Sequence, residues 1–586
     1  MPPEKLKELL NWGYQHGVQH SKDVEFVQTP DKGISVVAKS EISNASFQVP
    51  IDIVIRRSLA EQLFQISSNH NTWLKFLVAK LKFDSNATVV ESQNLKTKFA
   101  PYIDALPREI DSPLVWNPME LNELGNTNLG SSLTLKLESI FLEWKSAVIH
   151  LEECNEDARQ EIVFTQQLLT QDKSSIFTNL TSKVFSSELQ FSWWSFPAFL
   201  WSHLIFLSRS FPEYVVNPDA DPSSVILLPI VDLLNHDYNS KVEWKRVDDS
   251  FCVQKLETVM AGQEICNNYG GKGNEELLSG YGFVLESNIF DTAALKVRLS
   301  QAVLTQILRE TQIKLPNISD YTTSAFDFSA GRETVPVSGV DISKYEDGVL
   351  YLLSQSNSLC LDWLLDMFAF IEKSATESYV NLRPRLQGLQ NLRAALEAKL
   401  ATFRLVPEES QKQYSISTYR AKTAQVYKSG QTKIVKHAIN ELKRLEKEWT
   451  TKYKRDMLTV KKLMRIDQTF LEVELPAFLQ LDDNSDIALD SYNTLFYLWV
   501  LCKHANGDVT QELRWVMDLY DTFTEVHENE PDVIDKETKF LHQTIFTNDS
   551  EKLSLKQLAL AVKFVNANSY TRLSKGEMIL VRNVNL

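Results

Sequence analysis

The chain contains 586 residues, of which 43% are hydrophobic and 23% are charged, and its formal net charge is −15. This length exceeds what one hydrophobic core usually organises, so more than one domain is expected. No run of about 18 apolar residues indicates a membrane-spanning helix, and the negative charge favours basic partners over naked nucleic acid.

The cysteines and the N-terminal segment bear on compartment and metal binding. No two of the five cysteines are separated by two residues, so neither a zinc ribbon nor a redox pair is indicated, and no metal site is expected. The odd number of cysteines and the lack of an apolar signal core in residues 1–13 favour a reducing compartment. We expect the protein in the cytoplasm and, in addition, in the nucleus. Because Cys266 lacks an accompanying His or acid signature, we predict a buried structural thiol there.

In chain order, short strands come first. Residues 24–55 have strand-like spacing, with Gly33 in a turn. A helical, aromatic-rich block follows over about residues 59–210, and strand character returns over residues 225–283, beginning with the apolar run Val225–Leu234. Because the two sets of short strands must share a core, the pattern predicts an α+β domain of short sheets with a helical insert, over residues 1–299.

The second half of the chain has a different character. Residues 300–347 are polar, with Gly, Pro and Ser, and are predicted to form a linker or long loop. Residues 348–586 have mostly helical spacing, including the long stretches Pro384–Phe403 and Thr432–Met464, and predict an all-α domain.

One stretch of this helical region is strongly basic. Residues 399–465 carry 17 Lys and Arg against 6 Asp and Glu, a local charge of +11, so the rest of the chain carries −26. Two interpretations stay open: a solvated, charged helix face, which is the usual meaning of such a run, or a surface that contacts RNA or an acidic protein.

Two polar and aromatic stretches stand out in the first half. Leu228–Asp237 reads Leu-Pro-Ile-Val-Asp-Leu-Leu-Asn-His-Asp, and Asn267–Phe283 contains Asn-Tyr-Gly and ends in Tyr-Gly-Phe. Each places polar and aromatic side chains directly after an apolar run, where a strand would end in a buried pocket. Either stretch alone is typical of a turn or of core beside a turn, whereas both together, in this order, indicate a functional site.

Together the two stretches resemble the paired signature of a SET domain, and in particular the group of the plant Rubisco large-subunit lysine methyltransferase. That group includes fungal enzymes that methylate ribosomal proteins and translation elongation factors. The resemblance covers about residues 12–299. It implies an S-adenosylmethionine-dependent protein-lysine N-methyltransferase that acts on a Lys-rich, non-histone protein, with a helical C-terminal domain over residues 348–586 that binds the substrate.

The resemblance also implies roles for individual residues. Tyr281 is expected to be the catalytic tyrosine, and Tyr269 to line the same channel for methyl group and lysine. The residues expected at the cofactor are Asn235, His236, Arg209, Gly33, Ile34 and Tyr269. Those expected at the substrate lysine are Asp232, Ser208 and Phe283.

The chemistry of methyl transfer explains why tyrosines suit such a site. The attacking amine must first lose its proton, because an ammonium group has no lone pair. A tyrosine ring can form the wall of a narrow apolar channel, and its hydroxyl can orient the amine or the methyl group. Beyond this, the enzyme has to hold the two reactants in line and exclude water.

The sequence departs from the family pattern at one place and leaves two other functions open. The first motif reads Asp31-Lys32-Gly33-Ile34-Ser35, with Lys32 where an acid is common and Ser35 where a second Gly is common. The same fold could instead methylate a histidine, or could bind a partner without catalysis. The intact tyrosines and the Asn-His pair argue against a non-catalytic scaffold.

Overall fold

The structure is a computed structural model that describes residues 2–29, 32–66, 70–151, 156–171, 176–180, 192–316, 342–403, 415–479, 493–506, 508–527, 534–545 and 554–586. The described chain forms two compact units. The first contains the described residues of Met1–Ala293 and Phe403–Lys433, and the second those of Ala294–Asp320, Phe328–Thr402 and Ile434–Leu586. Among the described residues, no helix has the length and apolar character needed to cross a membrane.

The first unit is built on short antiparallel strands. These are β1 (Gln19–His20), β2 (Val24–Thr29), β3 (Gly33–Ala38), β4 (Ser46–Pro50), β5 (Val89–Val90), β6 (Gln93–Asn94), β7 (Ser210–Pro212), β8 (Val225–Leu227), β9 (Val242–Val247) and β10 (Ser250–Lys255). The largest sheet has the order β1-β4-β10-β9, and β2 pairs with β3 in a separate ribbon. Strand β10, from the second set, therefore lies beside β4, from the first set, as an inserted helical block requires.

The other elements of the first unit are helices, most of them between the two sets of strands in sequence. They are α1 (Pro3–Gln15), α2 (Arg57–Phe64), α3 (His70–Phe83), α4 (Leu95–Ala105), α5 (Pro118–Glu123), α6 (Asn128–Val148), α7 (Glu156–Gln171), α8 (Phe196–Arg209) and the short α9 (Asn274–Glu276). The aromatic residues of this block are core: Trp116, Trp144 and Trp201 are almost completely buried. The helices thus support the sheets and leave the ends of the strands to form a site.

The predicted strand Val225–Leu234 is shorter than expected. Extended pairing stops at Leu227, and a 3-10 turn follows at Val231–Leu233. Ile230, just before that turn, has φ +73°, a left-handed backbone conformation that a β-branched residue rarely adopts and that cannot continue a strand. The Asn-His pair at residues 235 and 236 follows this turn directly.

The second unit is mainly helical. Its helices are α10 (Gln301–Glu310), α11 (Leu359–Glu372), α12 (Leu382–Thr402), α13 (Thr418–Lys452), α14 (Val460–Ile466), α15 (Leu475–Leu479), α16 (Thr494–Asn506), α17 (Arg514–His527), α18 (Lys536–Ile545) and α19 (Leu555–Asn568). Its strands are β11 (Thr292–Val297), β12 (Val349–Ser354), β13 (Met457–Thr459), β14 (Ser569–Arg572) and β15 (Glu577–Val581). Strand β11 pairs with β12, and the other three form a sheet of order β13-β15-β14.

These strands correct the prediction of an all-α region over residues 348–586. The predicted helix Thr432–Met464 ends at Lys452, because Met457–Thr459 pairs with Ile579–Val581. Residues 300–347 are also not all loop, since Gln301–Glu310 is helical, and residues 317–341 lie outside the described residues.

The division of the chain also differs from the predicted domains. Residues of α13 up to Lys433 belong to the first unit, and those from Ile434 onward belong to the second. The reason is burial: Tyr427 is fully buried in the core of the first unit, and the Arg420 guanidinium pairs with Glu120 at 2.8 Å. A helical sequence pattern shows that a helix forms, but it does not show which core the helix joins.

Candidate active site

The two signature stretches meet through backbone hydrogen bonds. His236 and Asn267 form an isolated parallel bridge. The Asn267 amide donates to the Asn235 carbonyl at 2.8 Å, and the Asp237 amide donates to the Asn267 carbonyl at 3.0 Å. This crossing fixes the backbone of the Asn-His pair directly beside Asn-Tyr-Gly, which the sequence separates by some thirty residues.

The Asn235 side chain connects the crossing to strand β3. Its Nδ2 donates to the Ile34 carbonyl at 2.9 Å, to the Ser35 hydroxyl at 3.3 Å and to the Glu264 carboxylate at 2.8 Å. Within the described part of the chain, no donor contacts Asn235 Oδ1, so that oxygen can accept a hydrogen bond from a ligand. At Gly33, φ is +76° and nothing lies within 4 Å of the position that a Cβ would take.

Glu264 is a residue that the sequence analysis missed. Its carboxylate also pairs with the Lys32 ammonium at 2.6 Å. Burial alone would raise the pKa of Glu264, but the hydrogen bonds from Asn235 and Lys32 outweigh it and hold the pKa below its usual value. An acid thus lies beside Lys32 in the fold, although the sequence has Lys32 where an acid is common, and Asp31 lies outside the described residues.

Four aromatic rings extend from this crossing. Tyr269 stacks on His236 with ring centroids 4.9 Å apart and on Tyr281 at 5.0 Å. Phe283 meets the Tyr281 ring edge-on at 6.2 Å. The Tyr269 hydroxyl donates to the Leu234 carbonyl at 2.7 Å, which fixes the central ring of the stack. The wall that these rings form is continuous and runs from His236 through Tyr269 and Tyr281 to Phe283.

Burial sets the protonation of this wall. It raises the pKa values of Tyr269 and Tyr281 well above their usual value, so both phenols keep their protons at neutral pH. It also lowers the pKa of His236, whose Nδ1 accepts the Tyr269 amide hydrogen at 3.1 Å, so the ring is neutral. Among the described residues, no group is within hydrogen-bond distance of the Tyr281 hydroxyl, which leaves it available to a substrate.

Arg209 and Asp232 form an ion pair that interacts electrostatically with Tyr269. Arg209 Nη1 donates to both the backbone oxygen and the side-chain Oδ2 of Asp232, each at 3.1 Å, and the Tyr102 hydroxyl donates to the same Oδ2 at 3.0 Å. Burial raises the pKa of Asp232 despite the neighbouring guanidinium. Asp232 Oδ1 is buried and accepts no hydrogen bond from another described residue.

The arrangement of the remaining predicted residues is mixed. The Ser208 hydroxyl donates to the Leu204 carbonyl at 2.9 Å, inside its own helix, and the role expected of Ser208 at the substrate lysine stays a prediction. Cys266 is buried, and burial raises the pKa of its thiol to about 11, as expected of a structural thiol. Lys272, which the sequence analysis did not single out, has its ammonium 5.8 Å from the centre of the Tyr281 ring.

Short paired strands, a crossing of two signature stretches and stacked tyrosines at that crossing define the class of SET-domain methyltransferases. The crystal structure of the SET domain of LSMT bound to lysine and AdoHcy aligns with this chain at a TM-score of 0.52 and 17% identity. The alignment covers 77% of this chain and 94% of that one. This likeness confirms the predicted fold.

Two curated relatives cover nearly the whole chain. Ribosomal lysine N-methyltransferase 1 of Saccharomyces cerevisiae is 41% identical over 589 residues, which cover 99% of this chain and all of that protein. Protein-lysine N-methyltransferase EFM1 of the same yeast is 25% identical over 571 residues, covering 94% of this chain and 91% of that protein. A family model described as EFM1 middle domain matches residues 329–453. The chain therefore belongs to the SET-domain protein-lysine N-methyltransferases, an enzyme class whose methyl donor is S-adenosylmethionine.

The residues at the crossing fit this donor. A sulfonium and an ammonium group need negative or π-rich partners, and Glu264 and the stacked tyrosines provide them. A carboxylate needs a guanidinium, and no described residue occupies Nε or Nη2 of Arg209. The open space at Gly33 lets a ligand approach the backbone closely.

Proposed function

We propose that this enzyme methylates a lysine of a ribosomal protein. The proposal is supported by the name of the relative that matches along its full length. The net charge of −15 suits a Lys-rich protein substrate, because opposite charges steer the encounter. A translation elongation factor is the second substrate class, and only the family resemblance supports it.

The observation that carries the catalytic proposal is the geometry of Tyr281. Its ring stacks on that of Tyr269 and its hydroxyl makes no hydrogen bond to a described residue, while burial raises its pKa and so favours the protonated phenol. We assign to it the orientation of the substrate amine through a hydrogen bond. Because its pKa is raised, it does not act as the base that removes the amine proton. An apolar aromatic channel itself favours the neutral amine, since burial disfavours a charged ammonium.

The other residues hold the reactants around this point. S-Adenosylmethionine, when bound, supplies the methyl group as an electrophile on a sulfonium. Asn235, Gly33, Ile34 and the backbone of His236 are proposed to bind it, with Arg209 at its carboxylate. Phe283 and the backbone oxygens of Asp232 and Ser208 are proposed to seat the lysine. The aromatic wall keeps water away from the reacting groups.

An extract-labelling experiment tests the proposal. The enzyme is incubated with isotopically labelled S-adenosylmethionine and a ribosomal or cytosolic extract, and the labelled proteins are identified by mass spectrometry. We expect one or a few ribosomal proteins to be labelled, and acid hydrolysis to release methyl-lysine. Methyl-histidine in the hydrolysate would contradict the lysine assignment, and cofactor binding without any labelled protein would indicate a scaffold.

We also propose a cytoplasmic location, with an additional nuclear fraction. The four described cysteines form no disulfide with one another, which suits a reducing compartment. Fractionation of cells that express a tagged chain tests this, and a signal confined to membranes or to the medium would contradict it.

A further inference from the structure

The second unit contains a cavity that methyl transfer does not use. Its volume is about 420 Å³, and it is lined by Thr450, Lys454, Met457, Thr459, Lys461, Lys462, Arg465, Arg572 and Ile579. Five of these nine residues are cations and none is an acid. In a chain with a net charge of −15, such a concentration of positive charge calls for an explanation.

The lining residues come from secondary structure and are therefore fixed in position. Thr450 lies on helix α13, Thr459 in strand β13, Arg465 on helix α14 and Arg572 in strand β14. The backbone of Met457 and Thr459 is held by pairing with β15, and Ile579 forms an apolar floor. The cations thus converge through the fold of the unit, unlike lysines scattered on one helix face.

Only part of this positive charge is balanced within the protein. Arg572 pairs with Glu446 at 3.2 Å and with Glu577 at 3.4 Å, and the Lys462 ammonium lies 3.8 Å from Glu512. The other three cations, Lys454, Lys461 and Arg465, form no ion pair with any described residue. Holding like charges together costs energy unless an anion joins them.

The basic helix face outside the cavity is different. There the Arg444 guanidinium pairs with Glu441 at 2.8 Å and with Glu448 at 2.9 Å, and Lys443 lies 3.8 Å from Glu397. These two cations therefore have nearby acids, whereas Lys454, Lys461 and Arg465 lie together at the cavity without one among the described residues.

The charge density of the cavity points to phosphate. Three unbalanced cations at one cavity suit a multiply charged anion: a phosphate monoester carries about −1.5 to −2 charges and three acceptor oxygens, whereas a carboxylate carries one charge. Arginine and lysine side chains are the usual phosphate ligands. The Thr459 hydroxyl accepts the Lys462 amide hydrogen at 3.1 Å, and no described residue accepts its own hydrogen, which can go to a ligand oxygen.

We propose that this cavity is an anion site that binds phosphate groups, supplied either by the backbone of RNA or by a small organic phosphate. Its main ligands are Lys461, Arg465 and Lys454. Arg572 also lines the cavity, where its ion pairs with Glu446 and Glu577 hold it in place. The site contains none of the residues assigned to methyl transfer. A failure of this proposal would therefore leave the proposed substrate untouched, and the reverse also holds.

Binding measurements on the full chain test this proposal. The probes are a fluorescent oligouridylate, followed by anisotropy, and inorganic pyrophosphate, followed by calorimetry. The double variant Lys461→Gln/Arg465→Gln should weaken binding of the oligouridylate at least about 10-fold. The number of phosphates neutralised on binding, obtained from the slope of log K against log salt concentration, should fall by about two. Both side chains are exposed, so this variant is expected to fold normally.

A matched control removes two charges from the same unit outside the cavity. Lys436→Gln/Lys447→Gln neutralises two exposed lysines of α13 that do not line the cavity, and should change the affinity less than about 2-fold. Displacement of the oligouridylate by pyrophosphate at similar concentration would assign the site to small phosphates, and poor displacement would assign it to RNA backbone.

Three outcomes would overturn the phosphate assignment. Equal losses in both double variants would mean that binding follows general surface charge. An oligoglutamate that competes as well as a phosphate ligand of the same charge would mean that the cavity receives acidic protein segments. No binding of either phosphate probe by the unaltered protein at low salt would remove the site altogether.

Discussion

The two sites of this chain treat charge in opposite ways. At the crossing in the first unit, the charged side chains are paired: Arg209 pairs with the buried Asp232, and the exposed Lys32 pairs with the partly buried Glu264. At the cavity in the second unit, three exposed cations have no partner among the described residues. The first site is held ready by internal hydrogen bonds, whereas the second has its charges balanced only when a ligand enters. The two sites should therefore respond differently to mutation.

The largest effect is expected at the buried pair. Asp232→Ala leaves the Arg209 guanidinium buried without its acid and the Tyr102 hydroxyl without its acceptor, and should destabilise the protein by about 3–5 kcal/mol. Denaturant unfolding measures this. Arg465→Ala, at the cavity, is the control and should leave the unfolding midpoint almost unchanged, because it breaks no ion pair. Similar losses in both variants would remove the contrast between the two sites.

The next largest effect concerns catalysis. Tyr281→Phe removes a hydroxyl that makes no bond to a described residue, so stability should change little while kcat falls about 100-fold. Tyr214→Phe, at an exposed tyrosine of the same unit, should leave kcat unchanged. Because burial keeps the Tyr281 phenol protonated, no tyrosine ionisation should appear in the rate between neutral and mildly alkaline pH. A fully active Tyr281→Phe enzyme would show that the hydroxyl does not touch the amine.

The sequence predicted the residues of the first site better than their partners. Tyr269, Tyr281, Asn235 and His236 lie within two short motifs, so the family resemblance could point to them together. Glu264 and Tyr102 were missed because nothing in their local sequence marks them. Tyr102 reaches Asp232 from 130 positions away, and such a contact exists only after folding.

The second unit was less predictable for a related reason. A three-residue strand such as Met457–Thr459 has too little periodicity to stand out between helices, and its pairing depends on residues more than a hundred positions later. The basic stretch was visible in the composition, but the balance of its charges was not. Only the structure separates the paired Arg444 from the unpaired Lys461 and Arg465.

A smaller effect is expected from pH. Burial raises the pKa of Asp291 to about 6, although the Asn274 and Thr292 amides donate to it. Between the unfolded value near 3.8 and the folded value near 6, the folded state keeps the proton and the unfolded state loses it. This carboxyl therefore reduces stability as pH rises through that window, by roughly 3 kcal/mol in full.

The variant Asp291→Asn isolates that contribution. The amide oxygen of Asn can still accept the two backbone hydrogen bonds, and the amide does not titrate. The bond from Asn274 Nδ2 to Oδ2 is lost at every pH and so does not affect the pH dependence. The difference in unfolding free energy between the variant and the unaltered protein should grow in favour of the variant as pH rises from about 4 to about 7. A difference that is constant across this range would show that Asp291 has an ordinary pKa.

The smallest effect should come from Lys32. Its substitution tests whether cofactor binding depends on the geometry that internal hydrogen bonds hold or on the ion pair between Lys32 and Glu264. Lys32 is 60% exposed, so loss of its pair with Glu264 in Lys32→Ala should cost less than about 1 kcal/mol of stability. Glu264 still accepts from Asn235, so the crossing should keep its geometry. Cofactor affinity, measured by calorimetry, should then change only a few-fold. Glu264→Gln alters the group that contacts Asn235 directly and should weaken cofactor binding more. Equal weakening of cofactor binding by Lys32→Ala would mean that the exposed lysine contacts the cofactor itself. The first site would then depend on an exposed charge, as the cavity of the second unit does.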